Sequence, residues 1–193
     1  MTLRTCVIAI AAVSGGGKTT AVRNLQERLV NSAALFFDDY DFPWPDEFER
    51  WMERGADYNE WKLEPLVADL KGLLARADRP EYILLDYPFA YVHNELSRFI
   101  DYAIFIDTPL DVAMARRFIR DDKDSASSDV TREMEGYLRG GREAYLAMLH
   151  TVLPSSDYVA DGTLPVNDLT DLLLEQIKHK GSEDNEASKT ASR

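Results

Sequence analysis

Residues 12–20 read AVSGGGKTT, and no other stretch of this chain restricts its fold as much. Consecutive glycines let the backbone curl so that several N–H groups converge on one anion without side-chain clash. At an average glycine usage of about 7%, three in a row arise by chance at on the order of one in 3,000 positions. Lys18 follows as a mobile cation for β- and γ-phosphates, and Thr19 offers a hydroxyl to Mg²⁺. A helix beginning at this point aims the positive end of its dipole at the ligand. The stretch matches the P-loop (Walker A) pattern G-x-x-x-x-G-K-[ST] except at its first position, where Ala12 adds only a methyl group. Ser14, Gly15, Gly16, Gly17, Lys18, Thr19 and Thr20 are therefore the candidate nucleotide-binding residues, with ATP and Mg²⁺ as the implied ligands.

Such a loop joins a buried strand to a helix, and the rest of the chain has a matching rhythm. Short apolar runs at 5–12, 82–85 and 102–106, with weaker ones at 33–37 and 157–160, read as strands. Their hydrophobicity is continuous rather than alternating, as expected of a parallel sheet covered on both faces. Helical patterns fall between them, at 18–30, about 63–77, 110–120, about 130–149 and 166–178. The expected fold is α/β: a P-loop NTPase three-layer sandwich with a five-stranded parallel sheet and helices on both faces. Two segments break the rhythm. DDYDFPWP, residues 38–45, is acidic and aromatic and precedes a predicted helix at 46–54, while DDKDSASSD, residues 121–129, reads as a mobile loop.

A length of 193 residues suits one domain, predicted over 1–179 with a lid at about 117–130. The polar tail 180–193 has no apolar residue larger than Ala and is expected to be disordered. A formal charge of −12 argues against a nucleic-acid surface, which needs Lys and Arg against phosphates. Cys6 is the one cysteine, so neither a disulfide framework nor a Cys-based metal site is expected, and a reducing cytoplasm fits. The apolar run at 3–13 is too short to span a bilayer and leads straight into the glycine motif, so no membrane association is expected. His93, His150 and His179 share no ligand spacing.

A P-loop implies a nucleotide, not a reaction. A GTPase would need an Asp-x-x-Gly after the third strand and an Asn-Lys-x-Asp for guanine; Asp86 is followed by Tyr87, Pro88 and Phe89, and no Asn-Lys pair occurs. A kinase needs an acceptor pocket, a group to take or orient the hydroxyl proton, and cations on the transferring phosphoryl. Asp38 and Asp39 follow the second strand and are candidates for the second role. Asp86 ends the strand YILLD, a place for a carboxylate that holds Mg²⁺ or its water shell, so Thr19 and Asp86 are the candidate metal residues. Arg116, Arg117 and Arg120 lie on one helix, with Arg116 and Arg120 sharing a face.

The order of motifs AVSGGGKTT, FFDDYDF, DYNEW, ILLDYPF and FIDTPLDVAMARRFIRD resembles the uridine kinase and nicotinamide riboside kinase group of P-loop kinases, over residues 5–160. The resemblance implies a catalytic base at Asp38, a carboxylate near Mg²⁺ at Asp86, and lid arginines at Arg116, Arg117 and Arg120. Lys18, Asp38, Arg116 and Arg120 are thus the expected catalytic set, with Arg117 on the nucleotide. Asp39, Tyr40, Tyr58, Trp61 and Tyr87 are the expected acceptor-binding residues. The sequence departs from the group at Ala12, in having Asp rather than the more usual Glu at position 86, and in a short acidic lid. The expected activity is transfer of the γ-phosphoryl of ATP to a hydroxyl of a small, nucleoside-like acceptor. A non-nucleoside alcohol, an antibiotic, a nucleoside monophosphate and a non-catalytic nucleotide-binding regulatory role stay open, as does a homodimer.

Overall fold

The computed structural model describes residues 4–43, 45, 47–121 and 127–191. Five parallel strands form one sheet in the order β2-β3-β1-β4-β5. They are β1 (Cys6–Ala11), β2 (Ser32–Phe36), β3 (Tyr82–Asp86), β4 (Tyr102–Asp107) and β5 (Tyr158–Asp161). Each lies within a residue or two of its apolar run. The α/β sandwich expected of that pattern is the fold observed.

β1 is central, and every residue of it is buried. Alternation along a strand sends Val7, Ala9 and Ala11 to one face and Ile8 and Ile10 to the other. The Ile8 face is covered by α1 (Lys18–Arg28) through Val22 and Leu25 and by α8 (Val166–Ala191) through Leu173 and Ile177. The Val7 face is covered by α3 (Glu64–Ala75) through Leu66 and Leu70, together with α4 (Asn94–Ser97), α5 (Leu110–Asp121) and α7 (Arg142–Thr151). Fully burying a side chain such as Leu25 or Leu70 is worth about 1.5–3 kcal/mol. These layers supply the main drive for folding and hold the carboxyl ends of β1, β2 and β3 level, with Phe36 opposite Asp86 and Asp86 opposite Ile10.

The helical expectations are met with local differences. α2 is short, Phe48–Glu53, and residue 46 lies outside the described residues. The predicted helix at about 130–149 is two segments, α6 (Ser127–Gly136) and α7, joined by a π-helical turn at Tyr137–Gly141. Gly140 and Gly141 sit in that turn, where their lack of side chains lets the helix widen; a Cβ on Gly140 would come within 3.3 Å of Phe48. Of the acidic loop at 121–129, residues 122–126 lie outside the described residues, and so does that part of the expected lid. The backbone of α8 continues to Ala191, across the stretch that composition reads as disordered. That stretch has no proline, and because a helix already leads into it each further residue extends the helix without a new nucleus. Among the described residues no helix is long and apolar enough to cross a membrane.

Candidate functional site

β1 ends at Ala11, and the loop that follows turns tightly before α1. Gly16 N–H donates to the Val13 carbonyl at 2.9 Å. Gly15 and Gly17 have φ of 79° and 101°, a left-handed conformation that costs other residues dearly. Gly15 is fixed for a second reason: a Cβ there would lie 2.0 Å from the Ala113 carbonyl, because α5 packs directly onto the loop. Gly17 is the N-cap of α1, and no side chain caps the helix there. The first-turn N–H groups are therefore available to a bound anion.

Lys18 and Thr19 open the helix beside the carboxyl end of β3. The Thr19 hydroxyl donates to Asp86 Oδ2 at 2.6 Å, and Lys18 Nζ lies 3.9 Å from Asp86 Oδ1. The Asp86 side chain is only 2% exposed, and its Oδ1 accepts no hydrogen bond. Burial pushes the Asp86 carboxyl above its usual range and the charge of Asp38 adds to this, while Lys18, the Thr19 bond and Arg23 pull the other way. A buried carboxylate oxygen with spare acceptor capacity beside a hydroxyl is a donor set that suits a hard divalent cation. The Thr19 and Asp86 pair therefore fits Mg²⁺.

These residues line one cleft of about 770 Å³. The loop glycines, Lys18, Thr19 and Thr20 form its floor. Asp38 and Asp39, in a 3-10 turn directly after β2, form one wall, with Asp86 between them and the loop. Arg116 and Arg120 reach the cleft from α5, one face of that helix serving both as their spacing requires. Arg116 donates to the Gly162 carbonyl at 3.2 Å, and Arg120 pairs with Asp121 through both its Nε and its Nη2. That pairing is the main reason Arg120 sits above, and Asp121 below, its ordinary pKa.

Other expected residues lie elsewhere. Ser14 is half-buried at the start of the loop and is not part of the cleft lining. Arg117 is not part of the cleft lining: its Cβ lies against Gly15, and its guanidinium contacts Tyr145, Asp121 and Glu133. Tyr40 donates to Asp69 at 2.8 Å, and burial together with that bond pushes its phenol up. Tyr58, Trp61 and Tyr87 are buried in an aromatic lattice with Phe37 and Phe89, whose centroids lie 4.9–6.2 Å from theirs. The Tyr87 hydroxyl is fully enclosed without a hydrogen-bond partner, and burial alone drives its pKa well up.

The cleft also contains residues that motif reading passed over. Arg23 stands one turn after Thr19 on α1 with its guanidinium 5.6 Å above the Phe36 ring. Gly162, Leu164, Val166 and Leu169 add a less polar part of the lining, and Gly162 accepts from Arg116. The i, i+3 spacing of Val166 and Leu169 is visible in the sequence, but so is the same spacing in any amphipathic helix.

A glycine loop of this geometry, at the carboxyl end of the central strand in a parallel 2-3-1-4-5 sheet, defines a P-loop NTPase fold. The relatives narrow that class. The chain is similar to a uridine kinase of Chlamydia pneumoniae, 24% identical across 90% of this chain and 89% of that protein. It is likewise similar to a uridine kinase of Deinococcus deserti, 25% identical across 91% and 94% of the two chains. Among solved structures, shikimate kinase from Aquifex aeolicus shares the fold, with a TM-score of 0.50 at 12% identity over 90% of this chain and 96% of that one. No family model matches the chain. The resemblance to uridine kinases read from the motifs thus extends along most of the chain.

Proposed function

We propose that this chain is an ATP-dependent small-molecule kinase that transfers the γ-phosphoryl group to a hydroxyl of a nucleoside or similar compound, with residues 1–179 acting as one unit in the cytoplasm. The observation that carries the reading is the convergence of Lys18, Thr19, Asp86 and Asp38 on one cleft. Lys18 and the first-turn N–H groups of α1 bind the β- and γ-phosphates. The less polar lining at Leu164 and Val166 suits the nucleotide base. Thr19 and Asp86 would hold Mg²⁺, which supplies charge neutralisation on the phosphates when bound.

Asp38 is exposed to the cleft and accepts or orients the proton of the acceptor hydroxyl. The acceptor oxygen bonds to the γ-phosphorus as the bond from that phosphorus to the ADP oxygen breaks, and the hydroxyl proton passes to the carboxylate. Arg116 and Arg120 offset the charge of the transferring group, Arg120 once it leaves Asp121. Once ATP occupies Lys18 and the two arginines, Asp38 and Asp39 dominate the acceptor side, which favours a neutral or cationic acceptor over a monophosphate.

A panel of nucleosides and other alcohols incubated with ATP and Mg²⁺, read by product mass, tests the reading. A nucleoside gaining one phosphoryl group is the expected result. Transfer only to a different alcohol would displace the nucleoside assignment, and tight ATP binding without transfer to anything would identify a regulatory binding protein.

A further inference from the structure

A phosphate cradle works only if its backbone N–H groups face the anion while its carbonyls are taken up elsewhere. One of those carbonyls is taken up by a side chain. Thr108, directly after β4 and 1% exposed, donates its hydroxyl to the Gly16 carbonyl at 3.0 Å. Its Oγ1 also abuts the backbone of Gly162 closely enough that a Cβ on Gly162 would lie 1.9 Å from it. Gly162 in turn donates its N–H to the Asp107 carbonyl at 2.8 Å and accepts from Arg116 at 3.2 Å. A continuous series of contacts, Gly16 to Thr108 to Gly162 to Arg116, therefore links the phosphate loop to one of the two cleft arginines.

We propose that Thr108 is a positioning residue for the nucleotide: its hydroxyl holds the Gly16 carbonyl away from the phosphates and its contact with Gly162 sets the carbonyl that Arg116 grips. The inference rests on the nucleotide-binding part of the function proposed above, not on the identity of the acceptor. Thr108 touches no reacting atom. It acts through Gly16 and Gly162, and the threonine shape matters less than the hydroxyl.

The test compares Thr108→Val, which keeps the shape and removes the donor, with Thr108→Ser, which keeps the donor. Calorimetric titration with ATP and Mg²⁺ should show Thr108→Val binding about 5- to 150-fold more weakly, the range for a buried acceptor left without its donor. The KM for ATP should rise by a similar factor while the KM for the acceptor stays put, and Thr108→Ser should recover wild-type binding. If Thr108→Val yields little folded protein, Thr108→Ala, which also lacks the hydroxyl, goes through the same titration. A wild type that binds ATP beside a Val or Ala variant that binds equally well overturns this inference alone. A Ser variant as weak as Val overturns it too, because shape rather than the hydroxyl would then be at work. A wild type that binds no ATP overturns the proposed function and this inference together.

Discussion

Replacing Asp86 with asparagine should leave the ligand-free fold at least as stable while removing most of the transfer activity, because the carboxylate sits where charge is useful to a ligand and costly to the protein. The attraction between Lys18 and Asp86 at 3.9 Å is about 4 kcal/mol at an effective dielectric of about 20. Against it stands the desolvation of a carboxylate that is 2% exposed, a cost of roughly several kcal/mol per ion. The direction of the titration decides between them: the carboxyl is held above its ordinary pKa with burial as the largest cause, so the folded protein favours the neutral form. An asparagine of the same shape keeps an acceptor for the Thr19 hydroxyl and removes the buried charge, although it sets an amide N–H₂ beside Lys18, so any net gain is small. A gain of about 1 kcal/mol corresponds to roughly 2–4 °C in Tm for a chain of this size.

The sign with pH follows from the raised value. The wild-type carboxyl adds most to stability below its unfolded-state pKa of 3.8 and loses that contribution as pH rises through the higher folded-state value. The advantage of asparagine should therefore be full at pH 7 and shrink toward pH 4. Scanning calorimetry of both proteins without nucleotide or Mg²⁺, at the two pH values, measures it. Turnover of Mg-ATP with a competent acceptor should meanwhile drop about 100-fold or more, the scale for losing one preorganised electrostatic group. A Tm more than about 4 °C below wild type at pH 7 would refute the reasoning, since the carboxylate would then be a net stabiliser despite its burial.

Lys18→Ala should abolish or severely weaken turnover of Mg-ATP, and wild-type activity in that variant would remove the basis of the proposed function. Asp38→Asn should cut the rate of transfer far more than the affinity for ATP, as separated by single-turnover kinetics and calorimetry; an unchanged rate would move the proton acceptor to Asp39 or elsewhere. Gly15→Ala should cost at least about 2 kcal/mol, from the left-handed backbone and from a Cβ 2.0 Å from the Ala113 carbonyl. That amounts to roughly 4–8 °C in Tm, and an unchanged Tm would mean that α5 does not seat against the loop.

The sheet was legible because both its faces are covered, so each strand shows as an unbroken apolar run such as CVIAIA or YILLD. The glycine loop was legible because its backbone demands leave a direct mark in residue type. Asp38 and Asp86 could be placed because a parallel sheet aligns its carboxyl ends. Arg23 and Gly162 carry no such mark: each enters the cleft through tertiary packing, Arg23 over Phe36 and Gly162 against Thr108. The aromatic residues show the opposite limit. Tyr58, Trp61 and Tyr87 stand out in sequence for their chemistry, yet in the fold each spends its surface on other rings. Arg117 differs from Arg116 and Arg120 only by its position on the helix, and that rotation gives it Tyr145 and Glu133 as partners beside Asp121.

The wide turn at Tyr137–Gly141 accommodates one residue more than an ordinary helical turn, so it acts as a phase shifter between α6 and α7. One residue is about 100° around a helix. A face mapped along α6 by counting threes and fours therefore points in a different direction when the count is carried into α7. Tyr145 and Val152, the buried positions on and just after α7, keep their own register with the core. In an alignment with a kinase whose corresponding helix is regular, the extra residue belongs here, and a gap placed after α7 instead would misassign every α7 position by one.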